Sequence, residues 1–234
     1  MKIAEMTWMQ VEAYLKPDDR CVLPLGSTEQ HAYISLATDS ILSERLALEA
    51  AEPLGVPVFP VLAYGRTPYF MGYPGTVTVS PDTYESLLKD ILESIRTHGF
   101  RRIFILNGHG GNGPACAAVE EWSSRYNGVE ILWHNWWKSR KVRGAIDKID
   151  PHASHASWME TFPWTRVAGV AVPQEHKAAV ELPDRDEISY KRFREVVGDG
   201  SFGGWYERPD EEMKTIWAIA IDESRAKLES GWNS

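Results

Sequence analysis

Cysteine is scarce in this chain: Cys21 and Cys116 are the only two in 234 residues, too few and too far apart for a disulfide framework. Each sits in an apolar setting, so both are expected as buried free thiols. No uninterrupted apolar run approaches the length of a membrane span. The opening residues, Met1-Lys2-Ile3-Ala4-Glu5, lack the apolar core of a secretion signal and carry an acid early, so a cytoplasmic protein is expected. A basic excess is also missing. With 25 Lys and Arg against 33 Asp and Glu, the net charge of −8 argues against non-specific nucleic-acid binding. Repeats, low-complexity tracts and dividing linkers are absent, so a single domain over residues 1–234 is expected. What is present is ordinary globular material, 43% hydrophobic and 25% charged, long enough to bury a core. The unusual component is tryptophan: ten in all, with Trp133, Trp136, Trp137, Trp158 and Trp164 in one short region.

Short β-branched runs alternate with longer amphipathic stretches. The runs 21–25, 56–62, 103–106, 129–133 and 167–172 read as buried strands. Helices are expected over 39–51, over 114–126 and over about 210–228. The clearest starts at Ser80, a good N-cap, with Pro81 at the first helical position and Asp82 in the first turn. Tyr84, Leu87, Leu88, Ile91 and Ile95 follow at helical spacing until His98-Gly99 closes it. Such alternation implies an α/β fold whose mostly parallel sheet carries helices on both faces. In folds of this class ligands gather beyond the carboxyl ends of the strands. Three polar clusters directly follow predicted strands: Gly26-Ser27-Thr28-Glu29-Gln30-His31, Asn107-Gly108-His109-Gly110-Gly111-Asn112, and His134-Asn135-Trp136. They would meet at one edge of the sheet.

In an extended segment, residues i and i+2 point the same way, so Glu29 and His31 could face one site, with Asp39 following at a helix start. Two carboxylates and an imidazole suit Zn²⁺, Mn²⁺ or Fe²⁺ rather than copper or an iron–sulfur cluster. The plainer alternative is a helix-capping Asp39 and a solvated Glu29. The glycines around His109 suit a turn whose backbone approaches a ligand closely. No Lys-Ser/Thr follows them, so a phosphate loop fits less well than a metal ligand at His109. Further on, His152, His155 and Glu160 cluster. If helical from His155, Glu160 would lie about 140° around the axis and share a pocket with His155 only from its rim. His98, His152 and His176 are given no catalytic role.

Taken in order, Gly26 to His31, Asp39, Gly75-Thr76, Asn107 to Asn112, and His155-Ala156 followed by Glu160-Thr161 resemble the motifs of the creatininase family over residues from about 5 to 170. The resemblance implies a creatininase-like fold, usually a homohexamer, with two divalent metals per subunit: zinc first, manganese or iron as alternatives. By motif position, Glu29 and His109 would hold one metal, His31 the other, and Asp39 would bridge. Some members take a further ligand two residues after the histidine matched by His109. That place is Gly111 here, so the missing ligand is assigned to Glu160. His155 matches a histidine implicated in catalysis or substrate binding, and Glu160 is expected to share in the catalytic work beside it.

Three departures touch the substrate wall. Ala32-Tyr33-Ile34-Ser35-Leu36 replaces a Gly-Pro-His-Leu-Pro segment, Tyr69-Phe70 replaces a Glu-His pair, and Ser157-Trp158 replaces a small-acidic pair. Creatinine is therefore not the expected substrate. Flat indoles pack against sugar-like rings, and the Trp158 to Arg166 stretch is similar to keto-inositol hydrolases of the family. Ring opening of a 3-dehydro-scyllo-inosose type substrate is thus expected, with Tyr69, Asn135, Trp136 and Trp158 in the substrate pocket and Arg66 or Lys138 available for hydroxyls. Hydrolysis of a cyclic amide or formamide is the alternative, and a non-catalytic sugar-binding protein is the rival from another class.

Overall fold

The computed structural model describes residues 1–184 and 188–232. Its central sheet holds β1 (Arg20–Leu25), β2 (Arg102–Asn107) and β3 (Glu130–Asn135), all parallel and adjacent in that order. Arg20 lies opposite Arg102, and Arg102 opposite Glu130, so the three carboxyl ends finish level. The helices among the described residues are α1 (Trp8–Tyr14), α2 (Thr38–Ala51), α3 (Pro81–Thr97), α4 (Ala115–Ser123), α5 (Arg140–Ile149), α6 (Tyr190–Val197) and α7 (Asp210–Ser230). A short antiparallel pair, β4 (His176–Lys177) and β5 (Gly204–Trp205), stands apart from the main sheet.

Side chains alternate across the strands; both faces of β1 and β2 are buried, while β3 is only partly covered. Val22, Phe104 and Leu106 pack with Leu42, Leu46, Val142, Ile146, Met213, Ile216 and Trp217 from α2, α5 and α7. Cys21, Leu23, Leu25, Ile103 and Ile105 pack with Tyr84, Leu88, Leu92, Ile95 and Val119 from α3 and α4. The N-cap read at Ser80 is in place, its hydroxyl accepting the Thr83 N–H at 3.3 Å. A third apolar cluster of Phe70, Tyr73, Phe193 and Val197 lies away from the sheet, where α6 packs on the turn Pro68–Gly72.

Several sequence expectations need correction. Residues 56–62 do run parallel beside β1, with Phe59 N–H donating to the Val22 carbonyl and Gly26 N–H to that of Leu62. However, Pro24 of β1 has no N–H to give, and between the bridges Val22–Val58 and Leu25–Leu62 this run carries one residue more than β1, so only isolated bridges form and not a continuous strand. Residues 167–172 are not a strand: Val167 and Val170 are exposed around a turn at Gly169 (φ +80°), in which the Val170 N–H donates to the Val167 carbonyl. Cys21 is buried, whereas Cys116 is partly exposed on α4. The helix supposed to begin at His155 is a single 3₁₀ turn, Trp158–Glu160. Helix α5 was not expected because its dense charge hides a narrow apolar stripe, of which Val142 and Ile146 are buried.

No helix among the described residues is long and apolar enough to cross a membrane. His134 is buried on β3, stacked against Phe104 with centroids 5.7 Å apart, and its Nε2 has no hydrogen-bond partner. Burial, with a smaller push from Lys227, carries its pKa down to about 4. Between about pH 6.5 and 4 the unfolded chain binds a proton at this residue that the folded chain does not. Stability should therefore fall as pH drops through that window, by up to about 3 kcal/mol from this group. Urea titrations at successive pH values should show His134→Gln lacking this part of the wild-type slope. Identical slopes in both proteins would refute the assignment.

Candidate metal centre

The loop after β1 carries Glu29 and His31, the loop after β2 carries His109, and the first turn of α2 carries Asp39; all four are buried. The turn Trp158–Glu160 adds the fifth group, Glu160. Asp39 is at the centre. Its Oδ1 lies 3.2 Å from His31 Nε2, while its Oδ2 lies 2.8 Å from His109 Nδ1 and accepts the Ser27 hydroxyl at 2.8 Å. The two oxygens of one carboxylate thus face two different imidazoles. Helix capping, the plainer reading of Asp39, does not apply: the N-cap is Ala37 and makes no side-chain cap.

Ligand-type atoms within 4.8 Å of one another form the groups Glu29, Asp39, His109 and His31, Asp39, Glu160, which share Asp39; a further group is Glu29, His31, His155. Glu29 Oε1 is 3.4 Å from His109 Nδ1, and Glu160 Oε2 is 3.8 Å from His31 Nε2. Each imidazole is oriented from behind. His31 Nδ1 meets the Glu29 backbone carbonyl at 3.2 Å, and His109 Nε2 meets the Arg66 carbonyl at 3.0 Å. A carbonyl can only accept, so each ring keeps a proton on that side, and its other nitrogen, which pairs with the carboxylates here, would be the one to give a lone pair to a cation. Glu29 Oε2 and His31 Nε2 are buried with no partner in hydrogen-bonding geometry. A divalent cation would satisfy both, and the oxygen and imidazole donors suit zinc, manganese or iron.

The electrostatics follow from this crowding. Burial alone would push the His31 imidazole down, but Asp39, Glu160 and Glu29 outweigh it and carry its pKa up to about 10. His109 is likewise raised against its burial, by Glu29 and Asp39. Asp39 goes the other way, held well below the usual carboxylate range by the two imidazoles despite burial. Glu160 is pushed up to about 7 by burial, with Asp39 adding to it and His31 opposing. His155 is depressed by burial and by the neighbouring His31 and His109.

The loop Asn107 to Asn112 is held by its own amides. Asn107 Nδ2 donates to the His109 and Asn135 oxygens at 2.8 Å each, and Asn112 Nδ2 donates to the Gly26 carbonyl at 3.0 Å. Gly111 has no room for a side chain: a Cβ there would lie 1.9 Å from the Arg66 carbonyl oxygen. A carboxylate at that place is sterically excluded. Glu160 instead reaches the cluster through its 3₁₀ turn, its Oε2 accepting the Ala156 N–H at 2.7 Å. Ala156 takes φ +55° to do this, a left-handed conformation uncommon for alanine.

The centre opens into a cavity of about 520 Å³ whose walls include Tyr69, Phe70, Trp137, Lys138, His155 and Phe202. Of the expected substrate-binding residues, Tyr69 is on the wall. Trp136 and Trp158 are not: both are fully buried in the core, Trp136 packed edge-on against Phe162 and Trp217. Asn135 is not a wall residue either, its side-chain oxygen being taken by Asn107 and the Trp133 indole N–H. Arg66 contributes its backbone carbonyl, while Lys138 does line the cavity. Composition could not separate Trp136 from Trp137, because adjacent residues of one 3₁₀ turn point about 120° apart and only the packing decides which is buried. Phe70, expected at the substrate wall as part of the Tyr69-Phe70 exchange, and Phe202, which sequence reasoning missed, pack on His155 with centroids 4.7 and 4.8 Å away.

The family model for creatininase, described as creatinine amidohydrolase, matches residues 4–228. The chain belongs to the creatininase family. It is accordingly a hydrolase. The 3-dehydro-scyllo-inosose hydrolase of Thermotoga maritima is 28% identical over 212 residues, covering 85% of this chain and 68% of that protein. The creatinine amidohydrolase of Pseudomonas putida is 33% identical over 165 residues, covering 64% and 62%. A mycofactocin precursor peptide peptidase of Mycolicibacterium smegmatis is 34% identical over 141 residues, covering 57% and 53%, so this alignment spans only about half of that relative. Among solved structures, a mutant creatininase superposes with a TM-score of 0.84 at 20% identity, covering 100% of this chain and 99% of that one. A creatininase with Mn gives 0.80 at 20% identity, covering 97% of each chain. These likenesses show the creatininase fold.

Asp39→Asn should lose metal from both groups, because each imidazole faces a different oxygen of that one carboxylate. His31→Ala and Glu160→Gln should each lose one equivalent, and the same one, leaving the group of Glu29 and His109 loaded. Elemental analysis of the purified variants, with circular dichroism to confirm folding, checks this. Equal losses in Asp39→Asn and His31→Ala would rule out the shared carboxylate.

Proposed function

We propose that this chain is a divalent-metal-dependent hydrolase that opens a small cyclic substrate, a keto-inositol of the 3-dehydro-scyllo-inosose type, using two metal ions per subunit. The observation that carries the metal reading is the split of Asp39 between His31 and His109. Zinc is the first candidate, with manganese and iron as alternatives. Cations at such a carboxylate–imidazole centre supply Lewis-acid charge for a substrate carbonyl and lower the pKa of water.

The side chains divide the remaining work. Glu29, His31, Asp39, His109 and Glu160 hold the charge in place. His155 stands beside them, its Nδ1 3.7 Å from Glu29 Oε1, and is the group placed to pass a proton to the departing carbon or nitrogen. The flat rings of Tyr69, Phe70, Trp137 and Phe202 offer stacking surface for a ring substrate, while Lys138 and Ser154 offer polar contacts to its substituents. The long alignment with the inosose hydrolase supports the keto-inositol reading. Cyclic-amide hydrolysis is the second reading, favoured by the likeness to a creatinine amidohydrolase. Against a non-catalytic sugar-binding role stands the full set of ligand groups around Asp39. The proposal includes assembly into a homo-oligomer, a hexamer by family resemblance, and a cytoplasmic location.

Turnover of a panel containing an inosose, creatinine and a formylamino-pyrimidine should favour the inosose, with activity lost on chelation and restored by zinc or manganese. Preference for creatinine would replace the keto-inositol reading by the amide one. His155→Ala should keep its metal and melting temperature while turnover falls by about 10²–10⁴-fold. A variant that is less stable yet keeps most of its activity would remove His155 from the chemistry.

A further inference from the structure

Gln30 stands between two ligand-type residues, Glu29 and His31, and is itself buried. Its carboxamide is gripped on both sides. Oε1 accepts the Ala32 N–H at 3.1 Å, and Nε2 donates to the Gly200 carbonyl at 3.0 Å. Turning the amide over would set its NH₂ against an N–H and its oxygen against a carbonyl, so one orientation satisfies both neighbours. The remaining hydrogen on Gln30 Nε2 is then aimed at His155 Nε2, 2.8 Å away.

The same imidazole nitrogen lies 3.1 Å from the backbone carbonyl of Gln30. The two neighbours make opposite demands. A proton on His155 Nε2 would suit the carbonyl but place two hydrogens between nitrogens 2.8 Å apart. A bare Nε2 accepts the shorter carboxamide bond and leaves only a longer lone-pair contact with the carbonyl. The 2.8 Å contact therefore decides. We propose that Gln30 is a positioning residue that fixes His155 as the Nδ1–H tautomer, so that the neutral ring turns an N–H, not a lone pair, toward Glu29 and the cavity.

The surroundings are built to keep this arrangement. Gly200 has φ +107°, and a Cβ there would lie 1.7 Å from Gln30 Oε1, so only glycine leaves room for the carboxamide. Its loop is clamped by Lys177, whose ammonium donates to the Val197 and Ser201 carbonyls at 3.0 and 2.7 Å and pairs with Asp199. The Phe202 N–H donates to the His155 carbonyl at 3.1 Å, and the rings of Phe70 and Phe202 restrain the imidazole plane. Two consequences follow. With a proton on Nδ1 and the Nε2 lone pair taken by Gln30, His155 has none left for a cation, so Glu29, His31 and His155 do not form a further metal site. In its neutral form His155 also presents a hydrogen-bond donor to the cavity, so it can pass a proton to the leaving group only after Nε2 has taken one up. The second consequence rests on the hydrolase reading; the tautomer itself does not.

The test is the long-range ¹H–¹⁵N imidazole correlation spectrum of zinc-loaded, ¹⁵N-labelled protein, with His155 assigned by its disappearance in His155→Ala. The expected pattern is a protonated Nδ1 and a bare Nε2. In Gln30→Met the carboxamide donor is gone while the residue-30 backbone carbonyl remains, so the proton should move to Nε2. Turnover should fall by about 10- to 100-fold, the usual cost of losing such an orienting partner, with KM and zinc content near wild type. A wild-type ring protonated at Nε2 or bound to zinc, or a Gln30→Met ring still protonated at Nδ1, would overturn the proposal. If Gln30→Met does not fold, the wild-type spectrum decides alone. If no panel substrate is turned over, the hydrolase reading fails while the spectrum still decides the tautomer.

Discussion

Burying charge without leaving it unpaired is the constraint around which the structure is organised. Glu29, His31, Asp39 and His109 are almost sealed from water, with His155 and Glu160 only slightly more open. Ionised carboxylates in such a place are costly unless each oxygen meets a donor or a positive charge. Asp39 meets Ser27, His31 and His109 and sits in the first turn of α2, where the helix dipole favours an anion. Glu29 is less well provided for, with one oxygen unpartnered. The shortage of positive charge is local and specific. It is the feature that makes a cation the natural complement of this cluster.

Bringing α2 so close to the strand ends depends on missing side chains. A Cβ on Gly108 would lie 2.6 Å from the Asp39 carbonyl oxygen, so the loop after β2 can cross the start of α2 only as glycine. Gly111 answers a different need, since the Arg66 carbonyl that orients His109 occupies the space its side chain would take. The same crowding that fixes one ligand thus excludes a ligand two residues later. The carboxylate comes instead from a distant turn, at the expense of a left-handed Ala156.

The sheet and its two apolar faces hold the strand-end loops, but they do not hold His155. That task falls to the third cluster, in which α6 packs on the turn Pro68–Gly72 and sets Phe70 and Phe202 beside the imidazole. Where family resemblance would place a Glu-His pair, this chain has Tyr69-Phe70. The exchange substitutes a stacking surface for ionisable groups and makes that wall of the cavity aromatic.

Local chemistry in the sequence was enough to determine the sheet core, the major helices and most of the metal-type ligands. Buried parallel strands need continuous apolar runs, Ser80-Pro81 ahead of a helical apolar period favours a helix start, and glycines around His109 favour a close backbone approach. The motif order then placed Glu29, His31, Asp39, His109, His155 and Glu160 together. Tertiary structure alone decided the rest. A missing donor at Pro24, with a one-residue slip in register, and a turn at Gly169 removed two expected strands, because a strand needs a neighbour whose donors stay in step with it. It also sent Trp136 and Trp158 into the core and left Trp137 on the cavity wall, since an indole's side of the chain depends on the packing around it and not on its abundance. The partner of His155 is likewise invisible in the linear order: Gln30 and Gly200 are far apart in the chain, and their meeting depends on a loop clamped by Lys177.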